Sequence, residues 1–458
     1  MRYTTPQLLK KFLYVALPLL LLVGWTDKPK DNGLQIPVAY YKLSNGLKVV
    51  LSQDKTSPVI TVGVYYNIGF RIEPKNRTGF AHLFEHMMFQ GSKKMPKGEF
   101  DKLTERNGGL NNGSTRFDFT NYFEVMPAHM LKPILWAEAD RMSGLAIDQA
   151  SLENQQGVVK NEVKVNVLNQ PYGGFPWLDM PQYANENWYN AHNFYGDLAD
   201  LDSARLEDVH QFFKTYYAPD NAVLVVVGDF EVAEAKKIVD QYFSSIPAAD
   251  LPAKPDLSEP RQEKEKRFTK VDKLANKPAI SIAYKMPNKN TPEYYAMGLI
   301  DQLLVQGHDS KLYQSLVQEK GYTDVVNGGI NYLGNMFDYN GPMLWMSDLV
   351  HDSTVSVDSI IKQYDIAVDE IMNNVTAEDV KLALIKLRSG LYDQIGSFYG
   401  FGKLNLLAAF ALFEDNPAKI NDIEKEFNKV TPELIKKTAK EYLRTSNRTI
   451  LIIEPKAS

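Results

Sequence analysis

Apolar residues in this chain fall into runs of two periods. Residues 59–68, 222–227, 279–284 and 448–453 are dense in β-branched, aromatic and other apolar side chains and predict strands. The stretch 78–90, and a second one that also ends in Gln-Gly at Gln306-Gly307, predict helices. Between 246 and 267 the pattern stops: Pro247, Pro252, Pro255 and Pro260 stand among Ala, Asp, Lys and Glu, which predicts an extended linker.

The runs recur. Tyr216-Tyr217, Asn221 and the strand at 222–227 reappear as Tyr442-Leu443, Asn447 and the strand at 448–453, at a constant offset of 226 positions. Early in each half a β-rich stretch precedes the helix that ends in Gln-Gly. The expected fold class is therefore α+β, with one domain used twice, at 36–245 and 268–458, across the linker at 246–267.

Composition narrows the chemistry. The 458 residues are about three times a usual domain length, and 44% hydrophobic with 23% charged residues argues against disorder and against a multi-pass membrane protein. Scattered basic residues, 51 against 56 acidic, exclude nucleic-acid binding by phosphate neutralisation. Cysteine is absent, so disulfides, thiolate zinc sites, iron–sulfur clusters and a cysteine nucleophile are excluded, and any metal must be held by His, Asp or Glu. Ahead of the domains, Arg2, Lys10 and Lys11 precede an apolar run at 12–25, which suits a signal peptide or a single N-terminal anchor at 1–30. Leu22, Val23 and Gly24 resemble a lipoprotein box whose required cysteine is replaced by Trp25, so lipidation there is chemically impossible. The expected location is exported: periplasmic, or membrane-anchored on the periplasmic side of a bacterial envelope.

The chemistry-bearing motif is His82-Leu-Phe-Glu85-His86. Residues four apart share a helix face, so both histidines can ligate one ion, while Glu85 stands beside them within reach of a metal-bound water. The competing reading is two solvated or core histidines on an amphipathic helix. Leu83, Phe84, Met87, Met88 and Phe89 around them would make unpaired burial of His-Glu-His costly.

His-x-x-Glu-His resembles the inverted zincin motif of the pitrilysin-like zinc metallopeptidases. In that family a glutamate on another helix is the third ligand. Glu162, 76 residues after His86 and ending the run Val-Val-Lys-Asn-Glu, matches it, with Ser151 as a candidate cap for its helix. The resemblance implies one zinc per chain on His82, His86 and Glu162, with Glu85 as general base in peptide hydrolysis. It also implies two domains, each a mainly antiparallel sheet covered by helices, that form one half of a clamshell around extended peptides or unfolded segments. Many relatives carry a glutamate seven residues before the third ligand; this chain has Gln155, which can hydrogen-bond but adds no charge. In the stretch 108–115, Asn112 matches the family's substrate-contacting asparagine on an edge strand, and Gly113 replaces an alanine. Taken alone, Asn-Gly marks a hairpin turn.

Aligning the two Gln-Gly pairs sets Gly298, Leu299, Ile300, Asp301 and Gln302 opposite His82 to His86, so the second copy has lost both histidines. His308 and His351 have no ligand-spaced partner there. Most relatives also grip substrate with an Arg and a Tyr seven residues apart; Val317 and Asp324 occupy those positions, and Arg388 and Tyr392 lie too far along the chain to replace them. The expected assembly is a heterodimer with a related subunit that supplies the pair. The alternative function is a non-catalytic scaffold subunit of the same fold, which would be expected to lose the ligands and base that this chain keeps. A zinc hydrolase acting on other substrates shares the same site.

Overall fold

A computed structural model describes residues 33–456, so the expected leader at 1–30 lies outside the described residues. Two sheets organise the chain. The first contains β1 (Ala39–Lys42), β2 (Lys48–Gln53), β3 (Val59–Tyr66), β4 (Leu110–Thr115), β5 (Thr120–Pro127) and β6 (Ala222–Gly228), in the order β1-β2-β6-β3-β5-β4. The second contains β7 (Lys266–Asp272), β8 (Ala279–Lys285), β9 (Asn327–Ile330), β10 (Leu344–Val350) and β11 (Arg448–Pro455), in the order β7-β11-β8-β10-β9. Each sheet is antiparallel apart from one parallel pair, β2 with β6 and β7 with β11. Setting β7 to β11 on β2 to β6 superposes the two connectivities and leaves β1 as the addition. The α+β class is as expected.

The offset of 226 is visible in atoms. The helices Leu206–Tyr216 and Pro432–Tyr442 each lead into a strand through an asparagine that pins the helix end. Asn221 donates to the Tyr216 carbonyl at 2.9 Å, and Asn447 to the Tyr442 carbonyl at 2.7 Å.

The central strands β3, β5, β6 and β8 are buried almost end to end rather than on alternate residues, which means both sheet faces are covered. One face of the first sheet packs on helices of its own half, where Leu83, Phe84, Met87, Ile134, Leu135, Val159, Phe212 and Val239 meet Ile60, Val62, Val64, Leu224 and Val226 in one core. Its other face takes the Phe401–Glu414 helix from the second half. Phe401 stacks against Phe123 at 4.0 Å, Asn405 accepts from Tyr65 at 3.0 Å, and Lys48 donates to the Ala411 and Leu412 carbonyls at the helix end. Gly63 admits this helix, because a Cβ there would lie 2.8 Å from Leu404. The exchange is reciprocal: Met180 and Ala184 of the first half pack on Ala283, Leu344, Met346 and Leu451 of the second sheet.

Strand β7 begins at Lys266, paired with Thr449, so the last two residues of the expected linker at 246–267 belong to the sheet. The linker itself is tied down. Glu259 accepts from the Glu186 and Asn187 backbone N–H groups, from Asn190 and from Lys285, at 2.8–3.1 Å. Asn190 in turn accepts from the buried Arg71, which also donates to the Pro342 carbonyl and pairs with Asp118 at 3.0 Å, joining both halves through one guanidinium. Among the described residues no single helix is long and apolar enough to cross a membrane.

Candidate metal centre

The motif forms helix α1 (Phe80–Met87), which packs its apolar face into the first core and leaves His82, Glu85 and His86 toward a second helix, α2 (Gln149–Val163). Asp148 is the N-cap of α2 and Ser151 the third helical residue of a reciprocal capping box, so the cap expected at Ser151 moves three residues upstream. Glu162 stands at the other end of α2, where the chain passes into a π-helical turn at Lys164–Leu168.

The ligand atoms of His82, His86 and Glu162 lie within 4.8 Å of one another, the one such metal-capable group among the described residues. The two Nε2 atoms are 3.3 Å apart, and Glu162 oxygens stand 3.6 Å from His82 and 3.3 Å from His86. Tetrahedral zinc with bonds of about 2.0–2.1 Å requires ligand edges of roughly 3.3–3.4 Å. The donor set therefore fits zinc in both chemistry and spacing.

The surroundings act on the three groups in different directions. Burial lowers His82 to about 4, against the pull of Glu162. For His86 burial acts the same way but is outweighed by hydrogen bonding to Glu162, with help from Gln155, and its pKa rises. Glu162 is held below the usual carboxylate range, chiefly by His86. Gln155, 6% exposed, sits against the ligand cluster beside His86. Glu85 is raised by burial, opposed by the Thr115 hydroxyl that donates to its Oε2 at 2.7 Å.

Several neighbours were invisible in the sequence pattern. Thr115 ends β4 and reaches Glu85 across the helix–sheet contact. Tyr195 donates to Glu162 at 3.1 Å and has its own pKa pushed up to about 12, by burial first and that carboxylate second. The rings of Phe194 and Tyr195 pack on His82 with centroids at 5.0 and 5.2 Å, orienting an imidazole whose Nδ1 has no hydrogen-bond partner. Only the local spelling Asn-Phe-Tyr-Gly, a turn signal with aromatic residues, hinted that this segment had a fixed shape.

Strand β4 is the outer edge of the first sheet, and Asn112-Gly113 lies in its middle, paired with Phe123 and Tyr122. The hairpin-turn reading of Asn-Gly is overturned, since the turn comes later, where Arg116 N–H bonds the Phe119 carbonyl. Asn112 is exposed, its Oδ1 accepting from the Gly113 N–H at 2.8 Å. Gly113 runs close to the base, because a Cβ there would stand 3.2 Å from Glu85 Cγ.

In the second half, the helix Pro292–Leu304 takes the place of α1. Asp301 is buried opposite Glu85, accepting from Trp345 at 2.7 Å, and the space at Gly298 is closed by Met336 and Phe427. His308 stacks on Tyr313, and His351 bonds the Asp352 carbonyl. Val317 lies in a π-helical turn, Asp324 is exposed, and Arg388 and Tyr392 are engaged with Glu424.

Known proteins resemble this chain in sequence and in fold. The family model described as Insulinase (Peptidase family M16) matches residues 48–187, and that described as Peptidase M16 inactive domain matches 203–387, which includes the ligand-free helix. Zinc protease PqqE of Helicobacter pylori is 30% identical over 61% of this chain and 63% of its own length, so the match spans less than two thirds of that relative. Mitochondrial-processing peptidase subunit beta of Lentinula edodes is 22% identical over 70% of this chain and 69% of its own. In fold, a protease from Helicobacter pylori aligns with a TM-score of 0.84 at 23% identity, over 92% of this chain and all of the other. The chain belongs to peptidase family M16, the insulinase or pitrilysin-like family.

Proposed function

We propose that this chain is a zinc-dependent endopeptidase for extended peptides or unfolded segments, with zinc on His82, His86 and Glu162 and Glu85 as general base. One observation carries the reading: ligand atoms at tetrahedral-zinc spacing, with an adjacent carboxylate on the same helix and an edge strand beside it. Zinc there supplies Lewis acidity toward the scissile carbonyl and acidifies the attacking water. The chain supplies the rest. An extended peptide adds to the outer edge of β4 by backbone pairing, with Asn112 reaching its backbone. Glu85, kept basic enough by burial and aimed by Thr115, takes the water proton and hands it to the departing amine. Tyr195 holds Glu162 in register with the histidines.

The second half lacks the ligands and, by alignment, the Arg and Tyr, so the reading includes a related partner subunit that closes the chamber and donates that pair. It also includes residues 1–30 as an export leader or periplasmic-side anchor. The test of the site is a pair of variants. Glu85→Gln retains one zinc per chain while hydrolysis of a peptide library falls at least ~100-fold, whereas Glu162→Gln loses zinc. Identical behaviour of the two, with zinc and activity intact, would sink the assignment.

A further inference from the structure

Helix α1 starts without a cap of its own. Its N-cap is Gly79, at φ 78, and no acidic residue lies in its first turn. Free N–H groups at a buried helix start are costly, and the need is met from outside the helix. Glu73, six residues before Gly79, accepts from the Gly79 N–H at 2.8 Å and the Ala81 N–H at 2.5 Å. A Cβ at Gly79 would stand 2.5 Å from the Tyr195 carbonyl, so the chain cannot carry an ordinary Ser, Thr or Asp cap at that position.

Glu73 is fully buried, and a carboxylate in that state must be compensated. Besides the two N–H groups it faces His192, whose Nε2 is 3.7 Å away. That ring is fixed in turn: it stacks on Trp188 at 4.3 Å and 6°, its Nδ1 is 3.1 Å from the Trp188 carbonyl and its Nε2 is 2.5 Å from the Phe70 carbonyl. Three residues beyond His192 the chain reaches Tyr195, which holds Glu162. One segment therefore grips the start of the histidine helix and the ligand of the other helix.

His82 is the third residue of α1, inside the turn that Glu73 caps, while His86 lies beyond it. Fraying of that turn would withdraw one ligand of three and leave the remainder of the helix packed. We infer that Glu73, backed by His192, is a positioning residue for the metal centre, a cap supplied from outside the helix that sets His82 against Glu162.

The inference rests on the zinc reading, so its test reads zinc affinity directly, by competition with a chromophoric chelator. The amide of Glu73→Gln keeps the size but turns an N–H toward an N–H. Its zinc affinity falls 10- to 100-fold, in the range seen for supporting contacts, and the absorption spectrum of the Co2+ form broadens or shifts. Glu73→Asp, too short to reach both N–H groups, lies between. The control is Ile453→Ala, a cavity in the second sheet that lowers thermal stability without touching α1, and it retains wild-type zinc affinity and Co2+ spectrum. Wild-type affinity and spectrum in Glu73→Gln would overturn the inference, as would an equal loss in the control. If both Glu73 variants fail to fold, His192→Gln, expected to weaken zinc several-fold, decides in the same assay. Tight zinc in the wild type with no peptide hydrolysed, by the chain alone or with any partner, would defeat the peptidase reading and leave this one standing; no zinc in the wild type defeats both.

Discussion

Thr115 has a single hydroxyl proton to donate, and its Oγ1 lies 2.7 Å from Glu85 Oε2 against 3.4 Å from the Ala81 carbonyl oxygen. Its role is to aim the base, so Thr115→Val, which keeps the shape and removes the donor, should lower kcat about 10-fold with zinc content unchanged, read by single-turnover hydrolysis and metal analysis. A second prediction concerns pH. Asp338 is 4% exposed; its Oδ2 accepts from Asn335 and Asn405 while Oδ1 has no partner, and burial, opposed by Asn405, raises its pKa from 3.8 to about 6. A carboxyl raised on folding contributes stability that is complete below about pH 4 and lost as pH rises through about 6. Asp338→Asn retains an oxygen for both amide donors and never ionises. Its Tm relative to wild type should climb between about pH 4 and pH 6, by the equivalent of roughly 2 kcal/mol. At this scale helix period brought His82, Glu85 and His86 together in the sequence, while Glu162 was reached only through the family resemblance. Thr115, Tyr195 and Glu73 were not legible: they act through contacts between separate segments that no period announces.

At the scale of elements, the two β-rich stretches, the α1 helix and the repeat were readable because strand and helix periods are local. Asn112-Gly113 misled as an isolated turn signal because pairing with β5 outweighed the dipeptide preference. The Phe401–Glu414 helix is apolar nearly all round, a pattern that announces burial but not against what. Its seat is Gly63. Introducing Val there drives a Cβ to 2.8 Å from Leu404, so Gly63→Val should cost about 1–3 kcal/mol in denaturant unfolding. Truncating the opposing side chain as well, in Gly63→Val with Leu404→Ala, should recover part of that loss; no recovery would place the strain elsewhere.

For the whole molecule, the proposed replacement of the Arg and Tyr by Val317 and Asp324 makes a quantitative demand on assembly. Val317 and Asp324 cannot replace a guanidinium and a phenol in bonding a peptide carbonyl. The chain purified alone should bind one zinc and cleave poorly, and a related subunit that carries the pair should raise kcat/KM at least 10-fold. Full activity in a homogeneous preparation, unchanged by the partner, would refute the two-subunit arrangement. The clamshell is an expectation from resemblance alone, since nothing in composition or period specifies a second chain.

The crossed helices have a consequence for inheritance. Each sheet is roofed by a segment that the other copy encodes, Phe401–Glu414 on the first and the residues around Met180–Ala184 on the second. A gene cut at the connector would release a fragment carrying His82, His86 and Glu162 with one face of β2, β3 and β6 open to water, a template for aggregation. The half without ligands therefore has a structural task of its own: it supplies the helix that covers its neighbour's sheet, so any truncation has to keep both copies together.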